Sequence, residues 1–224
     1  MIKAVIFDMF ETLVSLFEGS TYFSEDIAAD LGVEHDPFRK AWHETEEART
    51  LGKVTIEEGI GEALKAMGMY SEKNVAMVAD GRKATLEDTF RVIPKESLDL
   101  LHALRAKGIL TGLISNCYSD EARMIKNCSL YPLLDAAMLS YEQGVAKPEP
   151  EIYLRVAAEL GVKPEECLYV GDGGSRELFT AKEIGMHPVQ ALWYRHMMFE
   201  PHVPSPVFDE FPHAGSRKDI EGMI

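Results

Sequence analysis

Five short apolar segments, separated by stretches with helical periodicity, constrain this chain more than any other feature. They run from Lys3 to Asp8, Ile109 to Ile114, Ala137 to Leu139, Cys167 to Val170 and Pro188 to Leu192. The first is apolar on both faces and ends in a carboxylate, as expected of a strand buried inside a parallel sheet. Helical stripes separate the later segments. Leu98, Leu101 and Leu104 lie between Pro94 and Gly108, and Ile152, Val156 and Leu160 between Pro150 and Gly161. A third stripe, Leu178, Ala181 and Ile184, stops at Gly185. Proline in the first turn and glycine after the last are ordinary helix punctuation. Strand–helix alternation of this kind predicts an α/β fold with a doubly wound parallel sheet and right-handed crossovers.

The alternation stops between about Leu16 and Arg91. Ile56, Ile60, Ala63, Leu64 and Met67 form one amphipathic stripe, and Ile27 and Leu31 a shorter one ended by Gly32. No strand is expected there. The division that follows is an α/β core of residues 1–15 and 92–224 with an inserted α-helical domain of residues 16–91. The stretch from Trp193 to Phe211 is rich in proline and aromatic residues and reads as an irregular segment on the surface of the core.

Charge narrows the partners. Asp and Glu number 37 against 23 Lys and Arg, a formal charge of −14 over 224 residues. That balance argues against nucleic acid and anionic membranes as partners. It leaves room for a small anionic molecule, because one lysine or bound cation dominates a single pocket. No apolar stretch is long enough to span a membrane, and the first apolar segment reads as a strand rather than a signal peptide. Cys117, Cys128 and Cys167 show no metal-ligand spacing, and an odd number of them suggests reduced thiols and a cytoplasmic location.

In an open α/β sheet the working groups stand at the carboxyl ends of the strands. Those ends carry Asp8, then Ser115 and Asn116, then Gly171 and Asp172, with Lys147 at loop distance after the short strand near Leu139. A carboxylate nucleophile that meets an anionic substrate needs its charge offset, which a lysine and a divalent cation supply. Asp8 and Asp172 are candidates to share that cation, with Glu177 holding its waters. All-oxygen ligation suits Mg²⁺.

The segments Phe7-Asp8-Met9-Phe10-Glu11-Thr12-Leu13, Ile114-Ser115-Asn116, Gly144 to Pro150 and Val170 to Glu177 resemble, in order and spacing, the four motifs of the haloacid dehalogenase superfamily. The insertion resembles that superfamily's helical cap. The resemblance implies that Asp8 is the nucleophile of a covalent aspartyl intermediate. It implies that Thr12 bonds the substrate or orients Asp8, that Ser115 binds the transferring group, and that Lys147 neutralises charge between them. Mg²⁺ would sit on Asp8, the backbone carbonyl of Phe10 and Asp172.

Two positions depart from the pattern. The family's phosphatases carry an aspartate two residues after the nucleophile as general acid and base, worth about 10²–10⁴-fold in rate. Here that residue is Phe10, which moves no proton. Glu11 stands where the family usually has glycine, and a side chain there is expected to alter the turn or cover the nucleophile. The dehalogenase branch carries an aromatic residue at the Phe10 position, and Arg39 and Tyr153 fall where that branch has a halide- or carboxylate-binding arginine and a tyrosine. Lys53 invites comparison with the Schiff-base lysine of the family's phosphonatases; it reads otherwise as a solvated lysine, Arg39 as a surface residue, Tyr153 as helix packing and Glu177 as a first-turn acid. Asp172 has no counterpart in those metal-independent enzymes. The preferred expectation is therefore a Mg²⁺-dependent phosphatase of a small phosphorylated metabolite. The alternatives are a metal-independent 2-haloacid dehalogenase using Asp8, and a catalytically weakened binding protein.

Overall fold

The computed structural model describes all 224 residues. The chain enters on β1 (Ala4–Phe7) and then forms five consecutive helices: α1 (Ser24–Leu31), α2 (His35–Glu44), α3 (Glu46–Thr50), α4 (Ile56–Ala66) and α5 (Glu72–Arg91). It continues through α6 (Lys95–Ala106), β2 (Leu110–Ser115), α7 (Ser119–Asn127), β3 (Ala136–Leu139), α8 (Ser140–Gln143) and α9 (Pro150–Glu159). It ends with β4 (Cys167–Gly171), α10 (Glu177–Glu183), β5 (His187–Ala191), β6 (His213–Ala214) and α11 (Arg217–Glu221).

The six strands form one sheet in the order β3-β2-β1-β4-β5-β6, and every pairing is parallel. The chain builds outward from β1 through β2 to β3, then returns to the other side of β1 for β4. That reversal opens a crevice at the carboxyl end of β1, where a doubly wound sheet binds its ligand. Alternate residues of β1 feed two cores. Val5 and Phe7 join α6, α7 and α11 on one face, while Ala4 and Ile6 join α9 and α10 on the other. With both faces covered, the strands are apolar throughout, as the alternation of segments predicts.

Four of the five helices after β1 share a core of their own. Ile27, Leu31, Phe38, Ile56, Ile60, Leu64 and Val78 pack together, so both stripes in the sequence face inward. Thr55 starts α4 by accepting the N–H of Glu58, whose carboxylate in turn accepts the Thr55 N–H, a reciprocal cap that fixes where the helix begins. Gly52 meets the core closely: a Cβ there would stand 2.0 Å from the Tyr141 carbonyl oxygen, and its φ is +67°. Only glycine satisfies both conditions.

Three details differ from the sequence expectation. Pro94 is the residue before α6 rather than part of its first turn. The strand β6 has two residues, too few for periodicity to register, and is held by Gln190 N–H to Pro212 O (2.8 Å) and Leu192 N–H to Ala214 O (2.9 Å). The segment from Trp193 to Phe211 is irregular as expected, but it is not merely superficial. Tyr194 and Phe211 are buried, and the Trp193 indole N–H donates to the Thr12 carbonyl at 2.9 Å.

Candidate active site

Asp8 is the first residue past β1, and its N–H still bonds to Val170 O (2.9 Å), so the backbone of the sheet aims its side chain into the crevice. The chain then turns tightly, Leu13 and Val14 both donating to Met9 O. Glu11 stands in this turn at φ +54°, the conformation in which glycine would be free of strain. Its carboxylate does not cover Asp8. It accepts from Leu16 N–H (2.9 Å) and Ser15 Oγ (3.2 Å) and so closes the turn. Burial pushes the Glu11 carboxyl up to about 7, against the opposing Leu16 N–H. The Phe10 ring packs edge-on against Phe90 of α5, with 6.2 Å between centroids. Thr12 is fully buried, and its hydroxyl has no hydrogen-bond partner.

Lys147 is the hub. Its ammonium donates to Asp8 Oδ1 and to Glu177 Oε2, each at 2.6 Å, with only 3% of the side chain exposed. Asn116 holds this lysine by its backbone: Asn116 Nδ2 donates to Lys147 O (2.9 Å), and Lys147 N–H donates to Asn116 Oδ1 (2.8 Å). Ser115 lies buried at the end of β2. Glu177 opens α10 and is fully buried. Its Oε2 also accepts from Tyr169 OH (2.8 Å), and its Oε1 from Gly173 N–H (3.0 Å). Gly171 makes this approach possible, because a Cβ there would fall 2.0 Å from Glu177 Oε1. Both Glu177 oxygens are thus engaged within the protein, and its position behind Lys147 is that of a group that orients the lysine.

Asp172 follows β4. Its Oδ1 accepts from Gly174 N–H (3.0 Å) and its Oδ2 from Ser205 Oγ (3.4 Å), while Gln190 Nε2 donates to its backbone carbonyl (2.9 Å). Burial, reinforced by Glu177, pushes the Asp172 carboxyl up to about 6. Burial also raises Asp8, with Glu177 and Asp172 adding to the shift and Lys147 opposing it. For Lys147 burial disfavours the charge, but the attraction of Asp8 and Glu177 prevails and its ammonium is held above the ordinary lysine value.

Carboxylate oxygens of Asp8, Asp172 and Glu177 lie within 4.8 Å of one another. Three acids converge on one lysine, and two of them resist ionisation. A hard divalent cation fits such a site, because it supplies the charge the lysine alone does not. With Glu177 occupied, Asp8 and Asp172 are the side chains with capacity to hold it.

The other sequence candidates do not touch the carboxylates of this cluster. Arg39 pairs with Asp36 at 3.6 Å with 66% of its side chain exposed, and it borders the cavity between the helical insertion and the core. Lys53 is exposed and pairs with Glu47 at 2.8 Å. Tyr153 is buried in α9 against Tyr169, its hydroxyl 3.4 Å from the Glu177 carbonyl. Tyr169, Gln190 and Ser205, which support the acids, carry no motif. Tyr169 reads as strand core, and the other two acquire their role only when the chain folds back.

A family model described as haloacid dehalogenase-like hydrolase matches residues 2–185. The chain is 29% identical over 216 residues to a glyceraldehyde 3-phosphate phosphatase of Methanopyrus kandleri, covering 90% of this chain and 88% of that protein. It is 36% identical over 98 residues to the rhythmically expressed gene 2 protein of Drosophila melanogaster, a match to 41% of this chain and 38% of that one. A haloacid dehalogenase family enzyme of Bacteroides thetaiotaomicron, solved with magnesium and inorganic phosphate, superposes with a TM-score of 0.60 at 25% identity, over 86% of this chain and 95% of that one. A 2-haloacid dehalogenase of Pseudomonas syringae shares the fold with a TM-score of 0.70 at 20% identity, over 99% of this chain and 97% of that one.

Proposed function

Because this chain belongs to the haloacid dehalogenase-like hydrolases, we propose that it is a Mg²⁺-dependent phosphatase of a small phosphorylated metabolite, acting through an aspartyl-phosphate on Asp8. The observation that carries the reading is Asp172, whose carboxylate joins Asp8 and Glu177 within 4.8 Å and is raised to about 6. The metal-independent dehalogenases that the first motif resembles carry no counterpart of Asp172. A phosphatase uses it to hold a cation. The magnesium and phosphate in the Bacteroides relative and the activity of the Methanopyrus relative support the same choice.

Asp8, Asp172 and the Phe10 carbonyl would hold Mg²⁺, which when bound offsets the charge of the phosphoryl group. Asp8 attacks phosphorus with the oxygen not bonded to Lys147, and the leaving group departs with the bonding pair. Lys147, fixed by Asn116 and Glu177, keeps its charge beside the developing negative oxygens. Ser115 and the unpartnered Thr12 hydroxyl are the hydroxyls available to the substrate or to Asp8. Water then hydrolyses the aspartyl-phosphate and regenerates Asp8. Phe10 supplies no proton to the leaving group, so substrates with weakly basic leaving groups react best. Three buried, unpaired cysteines fit a reducing compartment and hence a cytoplasmic setting. No helix is long and apolar enough to cross a membrane.

The test is phosphate release from a panel of phosphorylated metabolites with Mg²⁺ and with chelator, beside chloride release from 2-chloropropionate. Mg²⁺-dependent phosphate release is expected. Chelator-resistant chloride release without phosphate release would favour the dehalogenase reading, to which the aromatic Phe10 is suited.

A further inference from the structure

Three prolines, Pro201, Pro204 and Pro206, crowd into six residues of the chain between β5 and β6. Each ring fixes one φ, so this stretch behaves as a semi-rigid strap. Different parts of the molecule hold its two ends. At the first end, His202 Nε2 lies 2.6 Å from Glu25 Oε1 in the first turn of α1. A carboxylate only accepts, so Nε2 carries the proton. The imidazole also packs on Phe23, with 4.1 Å between ring centroids, and Phe17 and Phe199 flank it at 6.0 and 6.4 Å. The helical insertion is a firm anchor for this end. Arg82 of α5, with 12% of its side chain exposed, pairs with Asp120 (2.8 Å) and Glu121 (2.9 Å) of α7. The Ile56 N–H at the start of α4 donates to Ser119 Oγ at 2.9 Å.

At the other end the strap rests on the loop that carries Asp172. Ser205 Oγ donates to Asp172 Oδ2 at 3.4 Å. Gln190, fully buried on β5, donates to the carbonyls of Asp172 (2.9 Å) and Pro206 (2.8 Å) and accepts the Phe208 N–H (3.0 Å). Gly173 leaves room for this seating: at φ +102°, a Cβ there would fall 2.9 Å from Phe208 Cε2 and 3.4 Å from Ser205 Cβ. Gln190 and Arg195 hold the carbonyls of Pro206 and Ser205, and neither touches the Ser205 hydroxyl. At 3.4 Å the bond from that hydroxyl to Asp172 is long, so a shift of a few tenths of an ångström breaks it. Gln190 fixes the chain beyond Ser205, and His202 fixes it before. Only Val203 and Pro204 lie between His202 and Ser205, at most about 11 Å of extended chain.

We propose that His202 is a positioning residue for the metal ligand: tied to Glu25 of the insertion, it holds the Ser205 hydroxyl on Asp172 and so fixes how that carboxylate faces the cation. This rests on the reading of Asp172 as a Mg²⁺ ligand. Asp172 Oδ1 already accepts the Gly174 N–H at 3.0 Å, and a second donor on Oδ2 leaves the carboxylate one orientation. A ligand group fixed before the metal arrives loses less freedom on binding it. His202 also lines the cavity between the insertion and the core. The helical insertion thus helps set metal affinity, through a segment of the core that carries no motif.

The experiment titrates Mg²⁺ into the full-length protein without substrate and reads Kd by calorimetry. The variants are Ser205→Ala, Glu25→Ala and His202→Phe, with the last two also made on the Ser205→Ala background. His202→Phe keeps a ring against Phe23 and removes the donor. Ser205→Ala is expected to raise Kd about 3–10-fold, the range of one hydrogen bond. Glu25→Ala and His202→Phe should each raise it about 2–10-fold, and no further than Ser205→Ala does. On the Ser205→Ala background neither should add to the loss, because the route to Asp172 is already cut. A merely structural tie would lower Tm and leave Kd unchanged, or change Kd by the same factor on both backgrounds. Either result overturns the assignment, and so does a parental Kd in Ser205→Ala. If Glu25→Ala does not fold, His202→Phe on the two backgrounds decides. Mg²⁺ binding that every variant leaves intact overturns this assignment alone, whereas a parent that binds no Mg²⁺ overturns the metal reading with it.

Discussion

Replacing Asp172 by asparagine should make the metal-free protein more stable, although it removes a residue placed at the heart of the site. Burial and the Glu177 carboxylate raise Asp172 from 3.8 to about 6. At about 1.4 kcal/mol per pH unit, holding this group ionised at neutral pH costs the fold up to about 3 kcal/mol. Asp172 retains some solvent contact, and screening brings the figure to about 2 kcal/mol. Asparagine keeps an oxygen to accept the Gly174 N–H and carries no charge. With the folded value above the unfolded one, the native state binds the extra proton between about pH 4 and 6, so the parent loses stability as pH rises through that window. The variant does not. In chelator at pH 7.5 its Tm should therefore exceed the parent's by about 4–8 °C, at about 2–4 °C per kcal/mol for a chain of this length. The gap should close below about pH 4. Excess Mg²⁺ should then reverse the order, because only the parent gains the linkage term, about 2.7 kcal/mol at a hundredfold excess over Kd. Differential scanning calorimetry of both proteins from pH 4 to 8, with chelator and with Mg²⁺, makes the comparison. A metal-free variant less stable than the parent at pH 7.5, or a gap independent of pH, would refute the claim that Asp172 is strained by burial beside Glu177.

Asp8→Asn should abolish turnover of every substrate, since an amide forms no aspartyl intermediate; activity within tenfold of the parent in a phosphate-release assay would contradict its role. Mg²⁺ affinity should fall as pH drops below about 6, because protons compete for Asp172, and titration calorimetry should register proton release on binding. Gly171→Ala would drive a Cβ to 2.0 Å from Glu177 Oε1 and displace the carboxylate that orients Lys147, so kcat/KM should drop at least tenfold with the fold retained by circular dichroism. Phe10→Asp should speed alkyl phosphates more than aryl phosphates; equal parental rates on both would mean that another group already supplies the proton.

The alternation of apolar segments and helical stripes was sufficient to specify the parallel sheet, because strands covered on both faces must be apolar along their whole length. The polar residues that end those segments, Asp8, Ser115 and Asp172, were legible for the same reason: a sheet of this type delivers strand ends to one crevice. Lys147 belongs with them through its motif. Tertiary structure alone decided what surrounds them. The sequence offers Glu177 as a candidate for the metal's water shell. Only folding engages both of its oxygens, with Lys147, Tyr169 and Gly173, and sets it behind the lysine. Gln190 and Ser205 reach Asp172 because the irregular segment after β5 folds back, which no local periodicity encodes. The contrast is sharpest in the helical insertion. Arg39, a candidate by its position in the sequence, is largely exposed at the edge of the cavity between insertion and core, whereas Arg49, unmarked by any pattern, is buried between Trp42 and Tyr118. Helical spacing assigns a residue to a face of its own helix. Whether that face meets water or a tyrosine 69 positions along the chain depends on how the insertion docks on the core.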